Sequence, residues 1–336
     1  MASLFDILRF YRIHTGAVTA ALPTLAALSL GADTMSALLV FLVAIFHHAW
    51  GFSLNELGDL ELDRRSDALK HKPLVSGALK KTFAWFLSTL SLLISLSLLV
   101  LLIAINEGGL LIPLSLFAGA TVSGIVYDIK GKRFPSDIFV ALWILLLVLS
   151  TSSSLGDGFR VEIGVLAVGT LSFLQLLFNN SVEGGIKDIE NDRISKARTM
   201  AIVLDCRAGE KGCILSSPFV TWGLFLRGAF VIAAGVFSMM ISISAGWGLW
   251  WAALVSVVAV SIFAHSFRFL KRELIIDRKE LLGIFSKHEM ASVLVLCAVV
   301  LPIAGILETI IIIVIAVLWF VVMNRMMYGT GIKPGV

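Results

Sequence analysis

Long apolar stretches separated by short polar loops dominate the chain. Ten of them have about the length that a membrane span requires: residues 14–31, 36–57, 82–106, 110–127, 137–155, 160–182, 216–242, 246–266, 289–305 and 308–325. A helix needs about 20 mainly apolar residues to cross the hydrocarbon core of a bilayer. The pattern therefore predicts nine or ten transmembrane helices. Only Pro302, Gly305 and Glu308 divide the last two stretches, which form either a hairpin or one broken helix.

The composition agrees with this pattern. Of the 336 residues, 58% are hydrophobic, and the mean hydropathy is +0.95. Soluble domains contain about 45–50% apolar residues by a comparable count. We therefore predict an all-α integral membrane protein with one domain over residues 1–336. Its core covers about residues 5–305, and residues 308–325 are a possible extra C-terminal span.

The basic residues are distributed asymmetrically. Of the 27 lysines and arginines, 25 lie near the termini or in alternate loops on one side of the predicted spans, and only Arg160 and Arg227 lie elsewhere. Loops enriched in this way face the cytoplasm. We therefore predict a multi-pass protein of the cell membrane, in contact with membrane lipids, with its long polar loops on the cytoplasmic side. The net charge of +4 thus reflects topology, and no nucleic-acid partner is predicted.

A row of acidic residues follows the second predicted span. Asn55, Asp59, Asp63 and Asp67 recur every four residues. On an α-helix a step of four residues drifts only about 40° around the axis, so these side chains share one face. Like charges at this spacing repel each other. The pattern therefore indicates a cation-binding face at the cytoplasmic end of the helix.

A second acidic cluster follows the sixth predicted span. Asp188 and Asp192 again lie one helical turn apart. Magnesium prefers oxygen ligands and commonly lies between carboxylates and substrate phosphates. Two such clusters facing each other would hold two Mg²⁺ ions and clamp a diphosphate, with nearby Lys and Arg side chains supplying further positive charge. The alternative is a merely solvated helix end, but the strict four-residue step in two helices disfavours it.

The two clusters resemble the motifs of the UbiA superfamily of intramembrane prenyltransferases. That family has Asn-Asp-x-x-Asp-x-x-x-Asp and then Arg-Pro-x-x-x-Gly, where this chain has Asn55-Glu56-x-x-Asp59-x-x-x-Asp63 and then Lys72-Pro73-Leu-Val-Ser-Gly77. The family's second motif is Asp-x-x-x-Asp-x-x-x-Gly-x-Lys-Ser/Thr, where this chain has Asp188-x-x-x-Asp192-x-x-x-Lys196-x-Arg198-Thr199. The resemblance covers about residues 5–305. Glu56, Lys72 and Lys196 depart from the usual Asp, Arg and Gly.

The resemblance implies a fold, a reaction and a set of site residues. The fold is a bundle of nine to ten helices around a central cavity open to the cytoplasmic side. The reaction is Mg²⁺-dependent transfer of a polyprenyl group from a polyprenyl diphosphate to an aromatic quinone precursor or a lipid acceptor. The implied metal ligands are Asn55, Asp59, Asp63, Asp188 and Asp192. The implied catalytic residues are the four aspartates of this set and Tyr127.

Further basic residues are assigned to substrate binding. Arg12 precedes the first span, Lys130 follows the fourth, and His48 lies two turns before Asn55 on the same helical face. For His48 a hydrogen-bonded packing role is the alternative, and for Tyr127 an interfacial position. The predicted substrate-binding residues are Arg12, His48, Lys72, Lys130, Lys187 and Arg198.

Two other functions are compatible with the same residues. One is transfer of phosphoribose to a polyprenyl phosphate, a reaction that also occurs within the superfamily. The other is cation transport through membrane carboxylates. Transporters usually place such groups near the bilayer midplane, whereas both clusters here lie at one rim beside Lys and Arg. The sequence therefore favours prenyl transfer without naming the acceptor.

Overall fold

The protein is a bundle of helices with a very small β-sheet that two loops form together. A computed structural model describes residues 2–65, 69–130, 136–156, 162–194, 197–209, 212–270, 273–274 and 278–329. The helices are α1 (Leu4–Phe10), α2 (Gly16–Ser29), α3 (Thr34–Gly58), α4 (Leu60–Asp63), α5 (Lys81–Ile105), α6 (Leu111–Lys130), α7 (Asp137–Ser152), α8 (Ile163–Phe178), α9 (Gly185–Lys187), α10 (Ile189–Ile194), α11 (Met200–Val203), α12 (Ser217–Ser244), α13 (Leu249–Phe269), α14 (Arg278–Ala304) and α15 (Ile306–Tyr328). The antiparallel strands are β1 (Arg207–Gly209), β2 (Gly212–Ile214) and β3 (Glu273–Leu274), with β2 in the middle.

The helices match the predicted spans closely. Within the described ranges, eight helices are long and apolar enough to cross a membrane, and two shorter apolar helices cover Ile13–Ser29 and Asp137–Ser152. Large apolar side chains such as Ile232, Val257 and Leu318 lie exposed on the outer faces of the bundle, where lipid tails would cover them. These features confirm the predicted all-α integral membrane fold.

The centre of the bundle forms around α2. This helix contacts α3, α7, α8, α14 and α15. Its alanines, including Ala20 and Ala26, are fully buried, and small residues of this kind allow membrane helices to approach closely. Larger side chains such as Val43 and Leu171 fill the space between the helices. The small side chains of α2 therefore let several helices pack around this helix.

The last two helices form a hairpin rather than one broken helix. Gly305 separates α14 from α15 and has a φ of +88°, a backbone conformation that favours glycine. The second helix then runs back along α2, where the Trp319 indole donates a hydrogen bond to the Ile13 carbonyl at 2.6 Å. The Arg9 guanidinium binds the Met327 carbonyl, with Nε at 3.1 Å. The C-terminal helix is therefore tied to the N-terminal segment.

The sixth span is less regular than the sequence predicts. After α8 the backbone forms a π-helix over Asn179–Gly184 before α9 begins. The side chains of Asn180 and Ser181 donate hydrogen bonds to the carbonyls of the fourth residue before each of them, at 2.9 and 2.6 Å. Short π-helical segments within α-helices frequently occur at functional sites. The irregular segment lies directly before the second acidic motif.

Candidate active site

The first acidic motif lies on a continuous helical backbone although α3 ends within it. Asp59 is the C-terminal cap of α3, and α4 begins one residue later. The Asp59 amide donates to the Asn55 carbonyl at 2.9 Å, and the Asp63 amide donates to the Asp59 carbonyl at 2.8 Å. Hydrogen bonds four residues apart define the α-helical turn. The four-residue step thus keeps these three side chains on one face, and Asp67 lies outside the described residues.

The end of α6 lies against this face. The Asn55 side-chain amide donates a hydrogen bond to Asp128 Oδ1 at 3.1 Å. The two helices approach closely at Gly58, where a Cβ atom would lie 3.0 Å from the Asp128 carbonyl oxygen. Because the side-chain NH₂ group of Asn55 is directed at Asp128, the side-chain oxygen of Asn55 is the atom that remains to bind a metal ion. Sequence reasoning assigned roles to Tyr127 and Lys130 in this segment but missed Asp128.

Two basic side chains converge on Glu56, the residue that departs from the family motif. Arg12 contacts Glu56 Oε1 through Nη2 at 2.5 Å and Nε at 3.1 Å. Lys72 Nζ lies 3.0 Å from the same oxygen and 2.7 Å from Asp63 Oδ2. Burial alone would lower the pKa of the Arg12 guanidinium, but the Glu56 carboxylate raises that pKa above its ordinary value. Glu56 therefore anchors two cations beside the acidic face.

The second acidic motif also lies on a helical turn. The Asp192 amide donates to the Asp188 carbonyl at 2.8 Å. Lys187 Nζ lies 3.7 Å from Asp188 Oδ2, so one predicted basic residue is adjacent to this cluster. Arg198 is exposed. The side chain of Lys130 and the whole of Lys196 lie outside the described residues.

Tyr127 connects the two motifs. It directly precedes Asp128, and its hydroxyl donates a hydrogen bond to Asn180 Oδ1 at 3.3 Å, in the π-helix that leads to the second motif. The end of α6 therefore contacts both the first acidic motif and the segment that leads into the second.

His48 has partners on both ring nitrogens. Nδ1 lies 3.0 Å from the Thr19 hydroxyl, and Nε2 lies 3.3 Å from the Arg12 carbonyl oxygen. The side chain is fully buried. This geometry favours the hydrogen-bonded packing alternative, in which His48 holds the Arg12 backbone in place. Its role in substrate binding stays a prediction.

Among the described side chains, no three His, Cys, Asp or Glu residues already lie at the spacing that a metal ion requires. One of the predicted ligands, Asp63, is instead bound by Lys72. The described side chains therefore do not form a finished metal site. The assignment of Asn55, Asp59, Asp63, Asp188 and Asp192 as ligands stays a prediction.

A buried polar cluster that sequence reasoning missed lies deeper in the bundle. It is centred on Arg227 of α12, which is 1% exposed. The Arg227 guanidinium donates to Gln175 at 2.6 Å and to Ser292 at 3.0 Å, and it lies 3.8 Å from Glu183. It also lies over the Phe178 ring, with Cζ 3.7 Å from the ring centre. Arg227, which the sequence places outside the basic loops, thus has partners inside the bundle.

The same cluster includes a histidine. His288 Nδ1 lies 2.8 Å from Glu183 Oε1. Ionisable residues within membrane spans usually pair with each other or face a cavity, and this was the sequence signal available for Glu183 and His288. The partners could not be identified from the sequence because they come from three helices far apart along the chain.

Comparison with known proteins identifies the family. A model of the UbiA prenyltransferase family matches residues 17–286. Sequence comparison with curated proteins finds no match.

Three solved structures share the fold. A UbiA homologue from Archaeoglobus fulgidus bound to GPP and Mg²⁺ has a TM-score of 0.62 and 19% identity, covering 89% of this chain and 100% of that one. A structure described as digeranylgeranylglyceryl phosphate synthase has a TM-score of 0.62 and 18% identity, covering 92% and 99%. An apo UbiA homologue from Aeropyrum pernix K1 has a TM-score of 0.58 and 18% identity, covering 84% and 94%. The family match extends over most of the chain and these folds agree with it, so the protein belongs to the UbiA prenyltransferase family.

Proposed function

We propose that the protein transfers a polyprenyl group from a polyprenyl diphosphate to an acceptor within the membrane, with Mg²⁺ at the two acidic motifs. One observation carries the proposal: Tyr127 and Asp128 at the end of α6 contact both Asn180, before the second motif, and Asn55 of the first. The relatives bound to GPP or DMAPP with Mg²⁺ support this choice of donor and metal.

The chemistry of the side chains fits Mg²⁺. The predicted ligands offer only oxygen atoms, from four carboxylates and the Asn55 amide, and hard oxygen ligands suit this ion. The hydrogen bond from the Asn55 NH₂ group to Asp128 turns the amide oxygen away from Asp128, and such support from a neighbouring acceptor is common around metal ligands. Two Mg²⁺ ions would be held by Asn55, Asp59, Asp63, Asp188 and Asp192. Bound there, Mg²⁺ would neutralise negative charge on the leaving diphosphate.

Basic side chains around the motifs provide the remaining positive charge. Arg12 and Lys72 lie beside the first motif and Lys187 beside the second. Charges that are held in place before the reaction stabilise a leaving group without reorganising. We assign these three residues, with Lys130 and Arg198, to binding of the diphosphate. The Tyr127 hydroxyl is assigned a place beside the reacting allylic carbon.

The apolar interior completes the proposed site. The interior of the bundle is apolar, with buried side chains such as Leu25, Ile45 and Leu147, and we assign the polyprenyl chain to this apolar part of the molecule. It also keeps water away from a reactive allylic cation. The acceptor can be an aromatic quinone precursor or a lipid. We further propose that the acidic motifs face the cytoplasm, because the basic loops lie on that side of the predicted topology.

The proposal is tested with the purified full chain in detergent. We expect Mg²⁺-dependent binding of geranylgeranyl diphosphate and Mg²⁺-dependent release of diphosphate when acceptors are supplied. Asp59→Asn and Asp188→Asn should each lower the transfer rate at least a hundredfold. Glu61→Gln is the matched control, because Glu61 lies between Asp59 and Asp63 in sequence but is exposed and pairs with Arg64. Full activity of either aspartate variant, or of the wild type in excess EDTA, would contradict the proposed metal role.

A further inference from the structure

The C-terminal helix α15 and the segment before α2 both lie outside the stretch that matches the family. The family match covers residues 17–286. The segment before α2 comprises α1, Arg12 and a short 3₁₀ turn over Ile13–Thr15. Both α1 and this turn contact α15. Arg12, which is assigned to the diphosphate, therefore lies in a segment against which the C-terminal helix packs.

The backbone at Arg12 has an unfavourable conformation. Its φ of +45° and ψ of +41° lie in the left-handed region, where the Cβ atom of an L-residue comes too close to the following carbonyl oxygen. Such a conformation persists only where surrounding contacts hold it. The Arg12 carbonyl accepts a hydrogen bond from the Thr15 hydroxyl at 3.0 Å and lies 3.3 Å from His48 Nε2. The left-handed turn therefore depends on the contacts made around Arg12.

Helix α15 contacts the chain on both sides of Arg12. Before it, the Arg9 guanidinium binds the Met327 carbonyl, with Nε at 3.1 Å, at the helix end where carbonyls lack partners within the helix and attract a cation. After it, the Trp319 indole donates to the Ile13 carbonyl at 2.6 Å. Trp319 and Met327 are eight residues apart, which corresponds to about 12 Å along a helix. One rigid helix thus fixes two points of the chain that lie on either side of Arg12.

Aromatic packing extends the same interface. The His14 ring centre lies 5.4 Å from that of Tyr328 and 6.1 Å from that of Phe320. The Arg9 guanidinium lies 5.6 Å from the centre of the Tyr328 ring. Because His14 is buried, the segment cannot move away from α15 without breaking this packing. The interface therefore continues along α15 from Trp319 to its last residue.

The Arg12 side chain is suited to an anionic ligand. Among the described residues, Glu56 is the one acceptor for its guanidinium, and it binds Nε and Nη2, which leaves Nη1 for a ligand. Cζ lies 5.3 Å from the centre of the Phe52 ring, whose face restricts the guanidinium further. The side chain is 26% exposed, so a diphosphate can reach it. A guanidinium held in this way binds a phosphate group with defined geometry.

We propose that α15 positions Arg12 for the diphosphate, with Trp319 as the main positioning residue. This inference rests on the proposed prenyl transfer and adds a positioning element to its donor site. Trp319 acts through Ile13 rather than on the substrate, and it keeps Arg12 in the left-handed conformation. The guanidinium is therefore in place before the diphosphate arrives, so that binding does not have to order it.

The experiment uses the full chain in detergent with Mg²⁺ and without an acceptor. The Kd of geranylgeranyl diphosphate is measured by calorimetry, and thermal unfolding is followed separately without the donor. The variants are Trp319→Phe, Arg12→Gln and the two combined. Trp251→Phe is the matched control, because the Trp251 indole also donates to a backbone carbonyl, that of Ala298 at 3.0 Å, between α13 and α14. Arg9→Lys, which keeps the charge at the other contact point but removes the guanidinium, gives a second test if Trp319→Phe does not fold.

We expect Trp319→Phe to raise the Kd of the donor about fivefold, and Arg12→Gln to raise it by about tenfold or more because a charged hydrogen-bond donor is lost. The double variant should stay within about twofold of Arg12→Gln, because a positioning residue has no further effect once the group that it positions is gone. Trp251→Phe should lower the unfolding temperature about as much as Trp319→Phe, since each loses one indole hydrogen bond, but should keep the wild-type Kd. Arg9→Lys should raise the Kd in the same direction as Trp319→Phe.

The inference fails on any of three results. The first is a wild-type Kd in Trp319→Phe, or in Arg9→Lys where that variant replaces it. The second is an equal weakening of donor binding by Trp319→Phe in the wild type and in Arg12→Gln, which would show that α15 acts elsewhere than on Arg12. The third is a wild-type Kd in Arg12→Gln, which rejects Arg12 as a diphosphate ligand and leaves the proposed metal motifs intact. Absence of Mg²⁺-dependent donor binding by the wild type would instead reject the proposed function and this inference together.

Discussion

Glu56 departs from the family motif, and the structure shows which residues its side chain contacts. In the family motif an aspartate occupies this position, and the sequence left open whether the longer side chain would bind metal. The structure directs Glu56 to Arg12 and Lys72, so its carboxylate binds two cations of the protein. The extra methylene thus links the segment before α2 to the loop after α4. Asn55, Asp59 and Asp63 remain on the adjacent acidic face.

We predict that Glu56→Gln destabilises the protein. Both cations would lose their shared carboxylate, and a buried hydrogen bond to a charged group contributes about 1.5–3 kcal/mol. Since Arg12 is partly exposed, we expect a loss near the lower end of this range. The measurement is thermal unfolding of the detergent-solubilised protein.

Glu61→Gln serves as the comparison for this prediction. Its carboxylate pairs with Arg64, but both side chains are exposed, and exposed ion pairs contribute about 0–1 kcal/mol. Its unfolding temperature should therefore stay close to that of the wild type. Equal unfolding temperatures for Glu56→Gln and Glu61→Gln would show that the Glu56 contacts contribute no special stability.

At the scale of elements, the sequence predicts the helices better than their ends. Apolar runs place the spans because the hydrocarbon core requires helices of a certain length. The acidic motifs fall where α3 and α8 lose regular geometry, and this was not predictable. In the π-helix, the side chains of Asn180 and Ser181 bind backbone carbonyls, which many Asn and Ser residues in helices do not do. The hairpin of α14 and α15 was one of two predicted alternatives.

Gly305 provides the test of that hairpin. We predict that Gly305→Ala destabilises the protein, because its φ of +88° is unfavourable for alanine and a Cβ would lie 2.2 Å from Glu308 Oε2. A strained backbone conformation of this kind costs on the order of 1–3 kcal/mol. Thermal unfolding in detergent gives the measurement.

The matched variant is Gly283→Ala in α14. A Cβ there meets no atom within 4 Å, and alanine is favoured over glycine within a helix. This variant should be neutral or slightly more stable than the wild type. If Gly305→Ala unfolds no earlier than Gly283→Ala, the backbone at Gly305 does not hold the turn between α14 and α15.

For the whole molecule, the two acidic motifs and the Arg227 cluster depend on the same assembly of helices. The motifs could be found in the sequence because each lies within one short segment. The cluster could not, since Arg227, Glu183 and His288 come from different parts of the chain and meet only when the π-helix after α8 packs with α12 and α14. The positions of Arg12 and Lys72 beside carboxylates at helix ends also argue against cation transport, because they would oppose the passage of a cation.

The proposed joint site predicts a stability effect that requires both ligands. If Mg²⁺ and a diphosphate bind between the end of α3 and the α9–α10 segment, they bind the folded state only and stabilise it. At a ligand concentration about one hundred times Kd, this linkage contributes about 2.7 kcal/mol. We expect the unfolding temperature to rise with Mg²⁺ and geranylgeranyl diphosphate together, and EDTA to abolish the rise. Asp188→Asn should remove most of it while Glu61→Gln keeps it, and an equal rise with Mg²⁺ alone would show that the metal binds without the diphosphate.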